Sequence, residues 1–98
     1  MKNIIRQLDK AFDHKIRLGV MSILAVNGKV PFNDLKNTLG LTDGNLASHL
    51  KQLETLGYVC FHKGFSGRKP VTTDEITQEG KEAVLQHLKA LEEIIKLR

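Results

Sequence analysis

Apolar residues recur along this chain at helical spacing in all but one region. Leu46, Leu50, Leu53 and Leu56 follow one another at intervals of four, three and three, which puts them on one stripe of a helix. Thr42 can cap its start and Gly57 stands where a left-handed residue would end it. The opposite face carries Gly44, Asn45, Ala47, Ser48, Lys51, Gln52 and Thr55: small or hydrogen-bonding side chains, one cation and no carboxylate. An ordinary solvated face mixes both charge signs, whereas this one suits an anionic surface.

The same reading extends to the rest of the chain. Ile4, Ile5, Leu8 and Phe12 predict an N-terminal helix within residues 1–12. Asp13 is placed to cap a buried central helix containing Ile16, Leu18, Val20, Met21, Ile23, Leu24 and Ala25, closed by Asn27-Gly28. Lys29 to Phe32 reads as an extended link, because the residue before Pro31 is pushed out of the helical region. Asn33 then caps a short helix over 34–38, with Leu35 and Leu39 inward and Gly40 as terminator. Two helices joined through a glycine, the second with a polar face, form a helix-turn-helix pattern over 33–57. The periodicity changes in one place: residues 58–63 and 71–76 predict two strands around a glycine-bounded turn, 64–70. Thr77 caps a last helix to residue 97, in which Val84, Leu88, Leu91 and Ile95 repeat at four, three and four; Gly80 weakens its first turn slightly.

Ninety-eight residues are expected to form one domain. No run approaches the ~18 apolar residues of a membrane span, and no signal-peptide segment opens the chain, so a cytoplasmic protein without membrane partners is expected. The net charge of +4 is unevenly spread: +3 over residues 1–28, +3 over 29–73 and −2 over 74–98. That asymmetry suits a module presenting one end to a polyanion. Cys60 is a lone cysteine, read as a small buried hydrophobe, and the four histidines show no metal-ligand spacing among themselves. No metal site, cofactor or catalytic arrangement is therefore expected, and the chain is not read as an enzyme.

Beyond these patterns, the residues themselves resemble a family. Leu41-Thr42-Asp43-Gly44-Asn45-Leu46, His49-Leu50, Leu53-Glu54 and Gly57-Tyr58-Val59 are similar to the signature of small MarR-like and ArsR-like winged-helix transcriptional regulators. So are the segment Gly64 to Thr72, the run Ile76-Thr77-Gln78-Glu79-Gly80, and His14-Lys15-Ile16-Arg17-Leu18. The resemblance runs from about residue 8 to residue 91. It implies a mainly α winged helix-turn-helix with a small β-hairpin wing over 58–76 and a flanking helix at each end. Asp74-Glu75 departs from the pattern, where relatives often place an aromatic or basic residue, and makes the far strand less attractive to phosphate.

On this reading the helix after Thr42 enters the major groove of double-stranded DNA, through Thr42, Gly44, Asn45, Ser48, Lys51 and Gln52. Asn45 and Gln52 can each donate and accept. His49 falls at the edge of the apolar stripe, semi-buried and within reach of phosphate rather than a base. Asp43 is expected to cap. Arg68 and Lys69, at the tip of the wing, suit an adjacent minor groove. Ile4, Leu8, Leu88, Leu91 and Ile95, with the terminal helices that carry them, are expected to form a homodimer on a palindromic operator. The competing reading is a winged-helix protein-interaction module that does not bind DNA. The operator, the effector and the sign of regulation are not legible in the residues.

Overall fold

The computed structural model describes residues 4–97. Four helices and three strands follow in the order α1 (Lys15–Asn27), β1 (Lys29–Pro31), α2 (Phe32–Leu39), α3 (Asp43–Thr55), β2 (Val59–Ser66), β3 (Lys69–Ile76) and α4 (Gln78–Lys96). The sheet is antiparallel in the order β1-β3-β2. This is a winged helix-turn-helix: mainly helical, with the β2–β3 hairpin as its wing.

The core gathers one face of each element: Val20, Met21 and Leu24 of α1, Leu35 of α2, Leu46, Leu50 and Leu53 of α3, and Val59 and Ile76 at the root of the hairpin. Leu56 leaves the stripe predicted for it, because α3 ends at Thr55 and the chain turns outward at Leu56 before Gly57.

Before α1 the structure departs from the sequence reading. Instead of one helix, residues 4–12 form two 3₁₀ turns, Ile4–Gln7 and Lys10–Phe12, while residues 1–3 lie outside the described part. Asp9 breaks the helix. Its carboxylate accepts from Ala11 N at 2.8 Å and from the Tyr58 hydroxyl at 2.6 Å, and its own N–H donates to His87 Nδ1 at 3.0 Å. Three bonds to distant or non-helical partners outweigh a short segment's weak helical preference. The bond to Asp9, aided by burial, pushes the Tyr58 phenol up to about 12.

Two caps also differ. His14, not Asp13, caps α1, its Nδ1 accepting from Ile16 N, because Asp13 is already used in closing the preceding turn. α2 begins at Phe32 behind Pro31 with no side-chain cap, so Asn33 lies inside its first turn. Phe32 packs against the core and draws the start forward. The link before it is a strand: Lys29, Val30 and Pro31 pair with Glu75, Asp74 and Thr73.

The start of α4 is tied into the rest of the fold. Thr77 caps it through Gly80 N, and its own N–H donates to Tyr58 O while its hydroxyl donates to Gly57 O. Ile76 N donates to Gly28 O at 2.9 Å, so the ends of α1, α3 and β3 meet at the same place. Gly80 is buried there, and a Cβ on it would collide with the Tyr58 carbonyl oxygen and lie 2.9 Å from Ile76 Cγ1. The glycine that looked like a weakness in the helix is what allows this close approach.

Candidate nucleic-acid interface

The reading face of α3 is built by its first turn. Thr42 is extended and its hydroxyl accepts from Asn45 N at 3.2 Å, which frees the face beyond it for outside partners. Thr42, Gly44, Asn45, Ser48, Lys51 and Gln52 are all exposed. A Cβ on Gly44 would meet no atom within 4 Å, so nothing inside the fold asks for a glycine there. Asp43 does not cap. It is the first helical residue, and Lys36 of α2 holds its carboxylate at 2.9 Å. Lys36 is half-buried and Asp43 exposed, so the pair contributes about 1 kcal/mol or less, but it offsets the one negative charge at this end of the helix.

α1 reaches this face from behind. Arg17 donates from Nε to Ala11 O at 2.8 Å and from Nη1 to Gln52 Oε1 at 2.5 Å. One lone pair of the Gln52 carbonyl oxygen is therefore taken by Arg17, which orients the amide and leaves its NH₂ as the free donor end. Arg17 is the residue that sequence reasoning missed; its signal was a guanidinium on a helix otherwise read as apolar on most sides.

His49 is half-buried, as its place on the stripe predicted. Its ring lies 4.3 Å from that of His14, and its Nδ1 is buried without a partner among the described residues. Burial lowers its pKa, with His14 and then Arg17 adding to the effect, so the ring is neutral at pH 7. A neutral imidazole can reach phosphate as a donor but brings no charge.

The wing turn is tighter than the sequence suggested. Ser66 pairs with Lys69, leaving Gly67 and Arg68 as a two-residue turn with Gly67 at φ +65°. Glycine at the first of two turn positions fits the hairpin turns that match strand twist. Pro70 sits in β3 beyond the reach of β1, so its missing N–H breaks no ladder on that side. Arg68 and Lys69 are exposed, and neither takes part in an ion pair among the described residues.

Asp74, expected with Glu75 to make the far strand less attractive to phosphate, does not face solvent: only 2% exposed, it points inward from β3, and its Oδ2 has no hydrogen-bond partner among the described residues. Burial pushes its carboxyl up to about 6, and Glu54 adds to the rise. Glu75 points to the other face and meets His62 Nε2 at 2.6 Å. Cys60, expected to be buried, is only half-buried on that same face.

The predicted dimerisation residues separate into two groups. Ile4 and Leu8 are half-buried within their own chain. Leu88, Leu91 and Ile95 are 52%, 37% and 75% exposed. Between α1 and α4 runs an apolar groove of about 300 Å³, lined by Phe12, Leu18, Met21, Val26 and Leu88 among others. The inward side of α4 is instead Gly80, His87 and Ala90, with His87 set edge-on against Phe12 at 4.9 Å. Among the described residues, no helix is long and apolar enough to cross a membrane.

Comparisons with known proteins agree with this geometry. The family described as "Winged helix DNA-binding domain" matches residues 16–95. An uncharacterised protein of Methanocaldococcus jannaschii is 35% identical over 79 residues, covering 81% of this chain and 86% of that one. A transcriptional regulator homologue from Pyrococcus horikoshii OT3 superposes with a TM-score of 0.77 at 36% identity, over 92% of this chain and 94% of its own. A putative MarR-like transcription regulator from Bacillus cereus follows at TM-score 0.69 and 25% identity, over 95% of this chain and 69% of its own. An ArsR-family regulator is also among the structural neighbours. The chain belongs to the winged helix DNA-binding domain family.

Proposed function

We infer that this chain is a sequence-specific regulator of transcription, acting as a homodimeric repressor, with α3 in the major groove and Arg68 and Lys69 of the wing in the adjacent minor groove. The observation that carries this reading is the exposed face of α3. It holds donors and acceptors at Asn45, Ser48 and Gln52 and a cation at Lys51, and it keeps an empty approach at Gly44. Asn45 is the side chain suited to a two-bond contact with adenine, while Gln52, held by Arg17, donates to a base acceptor. Two chains joined through the apolar outer face of α4 and the α1–α4 groove would present two such helices to a palindrome. Their half-sites would lie about 34 Å apart, one turn of the duplex.

Selection of binding sites from a random DNA pool, followed by a salt titration, tests the reading. Enriched half-sites with two-fold symmetry are expected, and Arg68→Ala should weaken binding and flatten its salt dependence. Absence of any shift with mixed-sequence DNA at low salt would instead favour a protein-interaction module. Sedimentation as a monomer at tens of micromolar would remove the dimer.

A further inference from the structure

At the root of the wing three ligand-type side chains meet on one face of the sheet. Cys60 and His62 are two apart on β2, so both point to the same side, and Glu75 is paired directly with Cys60 from β3. Their ligand atoms, one from each residue, all lie within 4.8 Å of one another. Cys60 Sγ is 3.9 Å from His62 Nε2, and that nitrogen is 2.6 Å from Glu75 Oε1. The cluster has no sequence signature, since the histidines show no ligand spacing and the cysteine is single; the hairpin register supplies the third ligand.

We propose that Cys60, His62 and Glu75 form a binding site for a divalent transition-metal ion of the zinc class, open to solvent at its fourth position. A thiolate, an imidazole and a carboxylate together select zinc and its neighbours over magnesium or calcium, which prefer all-oxygen sites. The geometry is close to what such an ion needs. Tetrahedral bonds to sulfur and nitrogen place those atoms about 3.5 Å apart, and bonds to nitrogen and oxygen place those about 3.4 Å apart. The cysteine–histidine separation closes by less than half an ångström on that basis, and the histidine–glutamate pair opens by somewhat less than one. His62 and Glu75 have side chains 60% and 41% exposed, so both can make that adjustment and an ion can enter from solvent.

The surroundings favour a cation. The Cys60 thiol is pushed up by burial and then by Glu75, Glu54 and Asp74, a negative environment that a metal ion would relieve. Binding replaces the thiol proton, which goes to solvent, and breaks the His62–Glu75 hydrogen bond. Lys29 stands opposite Glu75 on β1 and opposes the ion with its own charge. Once bound, the ion links β2 to β3 where the wing leaves the core.

Cobalt(II) titration of the reduced full chain tests the site. One ion per chain is expected, with a thiolate-to-cobalt charge-transfer band that Cys60→Ser abolishes. His62→Ala and Glu75→Gln should each weaken binding at least tenfold, and Lys29→Gln should strengthen it. No band in the native chain would overturn the site. So would undiminished affinity in both His62→Ala and Glu75→Gln, which would mean that Cys60 binds without its neighbours, or one ion shared between two chains, which would mean that a single hairpin does not complete the site.

Discussion

Two glycines lie in first turns of helices for opposite reasons, and replacing each by alanine separates fold from function. In a helix, glycine is less favourable than alanine by about 0.8–1.0 kcal/mol. At Gly44 the added methyl meets nothing within 4 Å, so Gly44→Ala should recover most of that and stabilise the chain. A gain of 1 kcal/mol would raise Tm by about 4–8 °C for a domain of this size. At Gly80 the methyl meets the Tyr58 carbonyl oxygen and Ile76 Cγ1. Overpacking of this kind costs about 1–3 kcal/mol and exceeds the propensity gain, so Gly80→Ala should destabilise. DNA affinity should move against stability at residue 44: the more stable Gly44→Ala chain should bind operator DNA more weakly, by tenfold or so for a lost approach of about 1.4 kcal/mol. Urea unfolding and fluorescence anisotropy on the same two variants measure both. Unchanged affinity in Gly44→Ala would refute the argument that the glycine serves an outside partner, and a stabilised Gly80→Ala would refute the close packing.

Arg17→Ala should lower DNA affinity several-fold while leaving the helical circular dichroism intact, because it releases Gln52; equal affinity would show that Gln52 does not need to be held. Asp74→Asn should change stability in a pH-dependent way, measured with a chelator present. A carboxyl raised from 3.8 to about 6 favours the folded state only while protonated, so its contribution is full well below 3.8 and is lost as pH rises through 6. The stability difference between Asp74→Asn and the native chain should therefore shift by about 2.4 kcal/mol in favour of the variant between pH 4 and pH 8, whatever constant cost the amide adds. A difference that is flat with pH would contradict the burial argument. Leu88→Glu, on the exposed side of α4, should leave the thermal transition of the dilute chain nearly unchanged and abolish self-association in sedimentation.

The helices that could be read from the sequence were those in which a capping residue precedes a sustained apolar period. α3, with Thr42 at its start, and α4, with Thr77, were legible because cap and periodicity agree. Residues 4–12 were not, since Asp9 finds partners at Tyr58 and His87, far away in sequence. β1 has three residues and no period to read; it exists only because β3 offers an edge. The candidate reading face was legible residue by residue. The grip of Arg17 on Gln52 was not, because it depends on how α1 crosses α3. Asp74 and Glu75 looked alike in sequence, and the alternation of a strand sends one into the core and the other to solvent.

The hydrogen bonds that gather Gly28, Gly57, Tyr58 and Thr77 leave no slack between α3 and α4. α4 has 19 residues and is about 28 Å long, so, tied to α3 at Gly80, it extends a free arm of about 24 Å beyond that joint. Turning α3 and α4 together by about 10° about that joint moves the far end by about 4 Å, more than the 3.4 Å step of a base along a DNA strand. In a pair of chains joined by α4, a small change in the joint would therefore carry the two reading helices in or out of register with successive turns of the duplex. No separate sensing domain would be needed to convert an event between the chains into a change of grip.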